Sequence, residues 1–168
     1  KPGDTLKELD IGSLSTSGSL RFHQPLRRSR AASLYVDLGV AVNRARTTLG
    51  GDLLTLDKAT VGELTFTLQQ ERAGGGATTA SISAFRGLPV LDSSRAGDTY
   101  VSTPGFNPAF LKLTANLQHT EPLPRGASLL LTGQAQWSND LLPSAEQVSF
   151  GGPGIGRAYD PGAQSGIR

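Results

Sequence analysis

The chain has no cysteine, which removes disulfide frameworks, thiolate metal sites and cysteine nucleophiles together. It has no methionine either, so the expectation is a segment of a longer protein, and a segment carries no signal peptide to read. Histidine is scarce: His23 and His119 are too few for a histidine-rich metal site. Charge of one sign is also lacking. The pI of about 9.2 rests on a formal net charge of only +2. Apart from Arg27, Arg28 and Arg30 the basic residues are scattered. Nucleic-acid binding calls for a basic stripe with aromatic stacking partners, and neither is visible, so no nucleic-acid partner is expected. No run of about 18 apolar residues exists, which excludes a transmembrane helix. Apolar content with glycine left out is 37%. What is abundant is glycine, at 21 residues, together with Ser, Thr and Gln. A membrane β-barrel accommodates this composition, because its inner face is polar and only alternate residues meet lipid.

The dominant pattern has period two. From Ala32 to Arg44 the even positions include Leu34, Val36, Leu38, Val40 and Val42, against Ser33, Tyr35, Asp37, Gly39, Ala41 and Asn43. Alternation of this length predicts a strand, since a helix would spread the same residues around its circumference. The pattern recurs over Leu14–Pro25, Thr60–Glu71, Leu111–Thr120 and Ser128–Trp137, and more weakly over Thr78–Arg86. Leu130 interrupts the polar face of its strand. About six strands result, near the roughly 9–11 residues a tilted membrane strand needs and longer than the five or six usual in soluble sheets.

Short turns are expected at Leu26–Arg30, Ala73–Gly76 and Pro122–Gly126. Long loops are expected at Leu49–Lys58, Leu88–Pro108 and from Ser138 onward. Such sorting suits a barrel with one periplasmic and one external end. Trp137 ends its strand beside a long loop, where an aromatic girdle would lie. Six strands cannot close a barrel, the smallest having about eight. The competing reading of the same periodicity is a soluble antiparallel sheet with one wet face.

The last long loop carries the ordered residues Leu142, Ser144, Glu146, Gln147, Phe150, Gly151, Gly152, Arg157, Tyr159, Asp160 and Gly162. This order resembles the two-partner secretion transporters, the family that exports haemolysins and filamentous haemagglutinins and that shares a superfamily with the outer-membrane assembly barrels. In that family a Leu-Leu-x-Ser-Glu-Gln-Phe-x-x-Gly-Gly run leads into an Arg-Gly-Tyr or Arg-Gly-Phe tip, often followed by Asp-Pro-Gly and Ser-Gly-Asp. Upstream, Pro2-Gly3 with Leu6–Asp10, the Pro25–Arg30 turn and the Glu121–Leu131 hairpin are similar more weakly. Two departures stand out. Ala158 replaces the usual Gly, where a positive φ would strain it, and Ile167-Arg168 follow Gly166 in place of the acidic residue.

The resemblance implies an all-β fold: a transmembrane antiparallel β-barrel segment, about six strands of a sixteen-stranded barrel. Residues 1–168 would be its middle strands, ending in the sixth extracellular loop (139–168), with periplasmic domains upstream and the remaining strands elsewhere in the protein. It implies an outer-membrane location and passage of an unfolded exoprotein. The surroundings would be outer-membrane lipid and lipopolysaccharide, the barrel monomeric, and no cofactor, nucleotide or metal is expected. The functional loop would comprise Phe150, Gly151, Gly152, Gly156, Arg157, Ala158, Tyr159, Asp160 and Gly162, with Arg157 delivered to a carboxylate on a strand beyond residue 168.

Other readings stay open. Gly152-Pro153-Gly154-Ile155-Gly156 lacks the helix and Lys-Ser/Thr of a phosphate loop. A plain surface loop would leave Phe150, Ile155 and Tyr159 in water. No Gly-x-Ser-x-Gly elbow occurs, so no enzyme is expected. Arg21, Asp37, Asn43, Glu63, Lys112 and Gln134 fall on the polar faces and are expected to line a hydrated channel. His23 is expected to be a solvated residue of the same kind. An assembly or insertion factor, a passive porin, and a barrel with an appended enzyme are the alternative functions.

Overall fold

A computed structural model describes residues 10–95, 97–143, 146–150 and 164–166, and of 148–150 and 164–166 the backbone alone. Six strands follow one another: β1 (Ile11–Arg28), β2 (Ala32–Leu49), β3 (Asp52–Glu71), β4 (Ala77–Leu88), β5 (Leu111–Pro122) and β6 (Ser128–Ser138). They form a single antiparallel sheet in chain order. Two short strands, β7 (Val148–Phe150) and β8 (Gln164–Gly166), pair with each other separately.

The register carries the alternation across the whole sheet. Phe22, Leu38, Leu64, Ala84, Leu113 and Trp137 are successive cross-strand partners, and the next row is His23, Asp37, Thr65, Ser83, Thr114 and Gln136. One face is thus apolar and the other polar. Among the described residues, nothing is packed on the apolar face along most of its length: Leu20 is 76% exposed, Ile82 66% and Leu38 58%. Monomers in water rarely expose a contiguous apolar face of this extent.

The turns differ at one place from the sequence expectation. Three short turns lie at one end of the sheet. At the first, Ser29 closes on Ala32 through N–H and Oγ donors, at 2.9 and 2.7 Å to the carbonyl. The others run over residues 72–76 and 123–127, the latter with a single 3-10 turn at Pro124–Gly126. β1 continues through Arg28, with a register shift between Pro25 and Arg27. At the other end, the long loop expected over Leu49–Lys58 is absent. β2 and β3 run on instead to a tight turn at Gly50-Gly51, whose φ values of 58° and 89° only glycine adopts freely. The reason is a register shift at Thr47/Thr48, where Thr47 pairs Thr55 and Thr48 pairs Leu53. The intervening Leu54 is the extra residue of a bulge, which breaks the period-two pattern without ending the strand. β2 has 18 residues and β3 has 20, about twice the roughly 9–11 that a tilted strand needs to cross a membrane.

The second long connection is as expected. Residues 89–110 first continue along β3 where β4 has ended. Lys58 N donates to Ser94 Oγ at 2.9 Å, Ser94 N donates to the Lys58 carbonyl at 2.8 Å, and Leu56 N donates to the Tyr100 carbonyl at 2.6 Å. The segment then crosses to the polar face, where Ser102 N donates to Asp57 Oδ1 at 2.9 Å. Among the described residues the buried hydrophobic side chains are Val61, Val101, Phe106, Phe110 and Leu142. Four of the five come from loops. The core therefore sits at the long-loop end of the polar face.

Candidate functional site

The site is built from the bottom of that core upward. On β3 and β4 the polar face is interrupted by Ala59, Val61 and Phe85, and these apolar positions receive Phe110 and Leu142. Leu142 is fully buried, which tethers the first residues after β6 to the sheet. Gly87 makes room for the partner loop. A Cβ there would stand 2.2 Å from the Pro108 carbonyl oxygen and 2.8 Å from the Phe110 ring, closer than atoms approach without displacing backbone.

Polar groups lock the same arrangement. Leu111 N donates to Asn139 Oδ1 at 2.8 Å, and Asn107 Nδ2 donates to Asp140 Oδ2 at 2.9 Å. Ser138 Oγ lies 3.1 Å from the Leu111 carbonyl and 3.0 Å from that of Asp140. Gln147 Nε2 donates to the Leu142 carbonyl at 3.0 Å. At the centre Lys112 Nζ donates to Glu146 Oε2 at 2.5 Å and to the Glu146 carbonyl at 3.2 Å, and lies 4.5 Å over the Phe85 ring. The two charged side chains are 9% and 11% exposed. In such a setting the pair is costly to break, because either partner alone is a nearly buried charge. The stem of the last loop, at residues 139–143 and 146–147, is thus clamped onto the polar face.

The sequence-predicted residues fall as follows. Arg21, Asp37, Asn43, Glu63, Lys112 and Gln134 all share the polar face. Arg21 Nη2 donates to Glu63 Oε2 at 2.7 Å, reaching across Gly39 of the intervening strand. Thr65 bonds Glu63 Oε1 at 2.9 Å and Ser83 at 2.7 Å. His23 Nδ1 is 2.8 Å from Asp37 Oδ1, its ring stacked on Tyr35 at 5.1 Å, so it is a partnered residue and not merely a solvated one. Gln134 borders a shallow recess with Ser81 and Asn116. Asn43 lies next to Phe106 and Pro143. Lys112 differs from expectation: it is buried as the clamp of the loop stem and does not stand in open channel solvent.

Of the expected motif residues, Phe150 lies on β7, whose backbone pairs Phe150 with Gln164 of β8. Gly151, Gly152, Gly156, Arg157, Ala158, Tyr159, Asp160 and Gly162 lie outside the described residues. Residues the sequence reading did not single out include Val61, Phe85, Gly87 and Phe110. Leu142 and Glu146 belonged to the quoted motif but were given no role. The usable signal was the apolar break at Ala59, Val61 and Phe85 in an otherwise polar face, matched by phenylalanines in the 89–110 loop.

Comparison with curated protein sequences gives no match. The fold is similar to that of CdiB from Escherichia coli, with a TM-score of 0.79 and 21% identity over 92% of this chain and 28% of that one. The sheet is accordingly a segment of an antiparallel transmembrane β-barrel, and the chain spans little more than a quarter of the length of that structure. A family model for the haemolysin secretion/activation proteins ShlB/FhaC/HecB, transporters and not enzymes, matches residues 4–166, and the chain therefore belongs to this family of two-partner secretion transporters.

Proposed function

We propose that the chain forms the middle strands of an outer-membrane barrel that secretes or activates a partner exoprotein, passed through in an unfolded state. The apolar face meets lipid and lipopolysaccharide. The polar face, with Arg21, Asp37, Asn43, Glu63 and Gln134, lines the conduit of a monomeric barrel. The long-loop end faces the exterior, and residues 139–168 are the sixth extracellular loop. The observation that carries this reading is the clamp of the loop stem onto the polar face by Leu142 and the Lys112–Glu146 pair. A loop anchored there is directed toward the inside of the barrel and not into external water.

In this reading Arg157 is the functional centre. Its planar guanidinium stays charged and binds a carboxylate bidentately, the carboxylate being supplied by a strand after residue 168. Tyr159 packs beside the guanidinium, and Gly151-Gly152 let the loop turn inward. In cells carrying the full-length protein, Arg157→Ala leaves the barrel inserted at normal levels and abolishes export of the cognate exoprotein. Normal export at normal barrel levels would refute the role. Normal export together with impaired insertion of other outer-membrane proteins would point instead to an assembly factor.

A further inference from the structure

We propose that the cationic ledge at the long-loop border of the apolar face, formed by Arg44, Arg46, Lys58 and Arg95, binds the phosphorylated headgroup of an outer-leaflet glycolipid whose acyl chains lie on the apolar face beside it. The inference rests on the orientation proposed above and deepens it by giving the lipid contact an address.

Arg44 and Lys58 are direct cross-strand partners on the apolar face, and Arg46 follows two residues along β2, opposite Leu14 and Leu56. Like charges placed directly opposite destabilise a sheet, and Asp92 offsets this pairing chiefly through Lys58. Arg44 and Arg46 are exposed. Below them on the same face of β2 follow Val42, Val40 and Leu38, all exposed. The surface therefore passes from arginine to hydrocarbon within one strand, the order in which a phosphorylated headgroup and its chains would be met.

The internal anions do not balance the ledge. Asp92 pairs with Lys58, and its carboxyl is held below the usual range, first by the hydrogen bond from Lys58 and then by its charge, with smaller contributions from Arg44 and Arg95. Asp98 accepts the backbone N–H of Arg95 at 2.9 Å. Neither Arg44 nor Arg46 makes an ion pair with another described residue. Between Leu56 and Lys58 of β3 and residues 89–95 and 97–100 lies an open cavity of about 550 Å³, bordered by Asp92, Arg95, Asp98 and Tyr100. That volume is within the range of small-ligand sites, about 300–1,000 Å³. Guanidinium forks match phosphate oxygens bidentately, and the cavity lies beside Lys58, the cross-strand partner of Arg44.

The full-length transporter, inserted in phosphatidylcholine vesicles, is titrated with bisphosphorylated lipid A. The probes for comparison are dephosphorylated lipid A and inorganic phosphate. The native protein binds the bisphosphorylated lipid in preference to both. Arg44→Gln/Arg46→Gln inserts normally and binds it about thirtyfold more weakly, at about 1 kcal/mol per basic residue near a membrane surface. Arg44→Lys/Arg46→Lys, which keeps the charge and loses the planar fork, retains only part of the binding. Arg28→Gln, at the short-turn end of the sheet, changes nothing. Equal binding by the native protein and the Gln variant overturns the proposal, as does equal occupancy by inorganic phosphate or an equal loss in Arg28→Gln. Insertion without preference for the phosphorylated lipid refutes this inference alone, whereas failure of the native protein to insert refutes the orientation on which it rests. Export is not part of the readout, so the role of Arg157 stands or falls separately.

Discussion

Leu142→Ala tests the clamped stem directly. Leu142 is fully buried against Val61 and Phe110, and no strand pairing of the sheet involves it. Deleting its branched side chain removes roughly three carbons at about 0.8 kcal/mol each. The space left between Val61 and Phe110 adds a cavity term, so the loss is about 3 kcal/mol, inside the range of about 2–5 for buried leucines. Because the sheet does not use Leu142, the loss falls on docking of the stem and not on the barrel. At about 1.4 kcal/mol per decade, amide exchange of the stem accelerates by roughly two orders of magnitude, while the amides of β5 and β6 keep their protection. Hydrogen-exchange mass spectrometry on the full-length transporter reads both regions at once. Leu20→Ala, at a 76% exposed position of the apolar face, serves as the control and leaves the stem unchanged. Unaltered exchange of the stem in Leu142→Ala would refute the clamp. Equal acceleration of β5 and β6 would show that Leu142 belongs to a global core instead.

Three further outcomes follow from the same geometry. Lys112→Met strands the Glu146 carboxylate at 11% exposure and loosens the stem by about 3 kcal/mol, and adding Glu146→Gln restores most of the lost exchange protection; a double variant no better protected than the single would show that the ion pair is incidental. Gly87→Ala forces a Cβ to within 2.2 Å of the Pro108 carbonyl, so the 105–110 stretch becomes protease-sensitive in an intact barrel, and unchanged proteolysis would contradict the close approach. Leu38→Arg places a charge on the apolar face and costs about 2–4 kcal/mol near the bilayer midplane; an unchanged free energy of folding into lipid vesicles would remove Leu38 from lipid.

Much of the sheet was legible because the side-chain period of a strand is a property of the backbone alone. Leu34, Val36, Leu38, Val40 and Val42 could share a face in one way only, and the register confirms it through Phe22, Leu64 and Trp137. The misreading at Leu49–Lys58 has a local cause. Leu54 is a bulge residue, so Leu53 and Leu54 sit side by side and the alternation test fails inside a continuous strand. The Gly50-Gly51 pair was the better signal, since two successive positive φ values are what a two-residue hairpin turn requires.

The sequence by itself determined the strands, their two faces and the family motif of the last loop, because each is written in residues near one another along the chain. Tertiary structure alone decided what the polar face does at its long-loop end. Lys112 carries the same alternation as Thr114 and Asn116 and looks like one more channel residue. Only folding brings Glu146, 34 residues away, against it, together with the Phe85 ring beneath. Val61 and Phe85 likewise read as lapses in a polar pattern until Phe110 and Leu142 arrive from two different loops to cover them. Burial and pairing across such separations depend on where the loops return, and loop paths are set by a few long-range contacts, which no periodicity within a strand records.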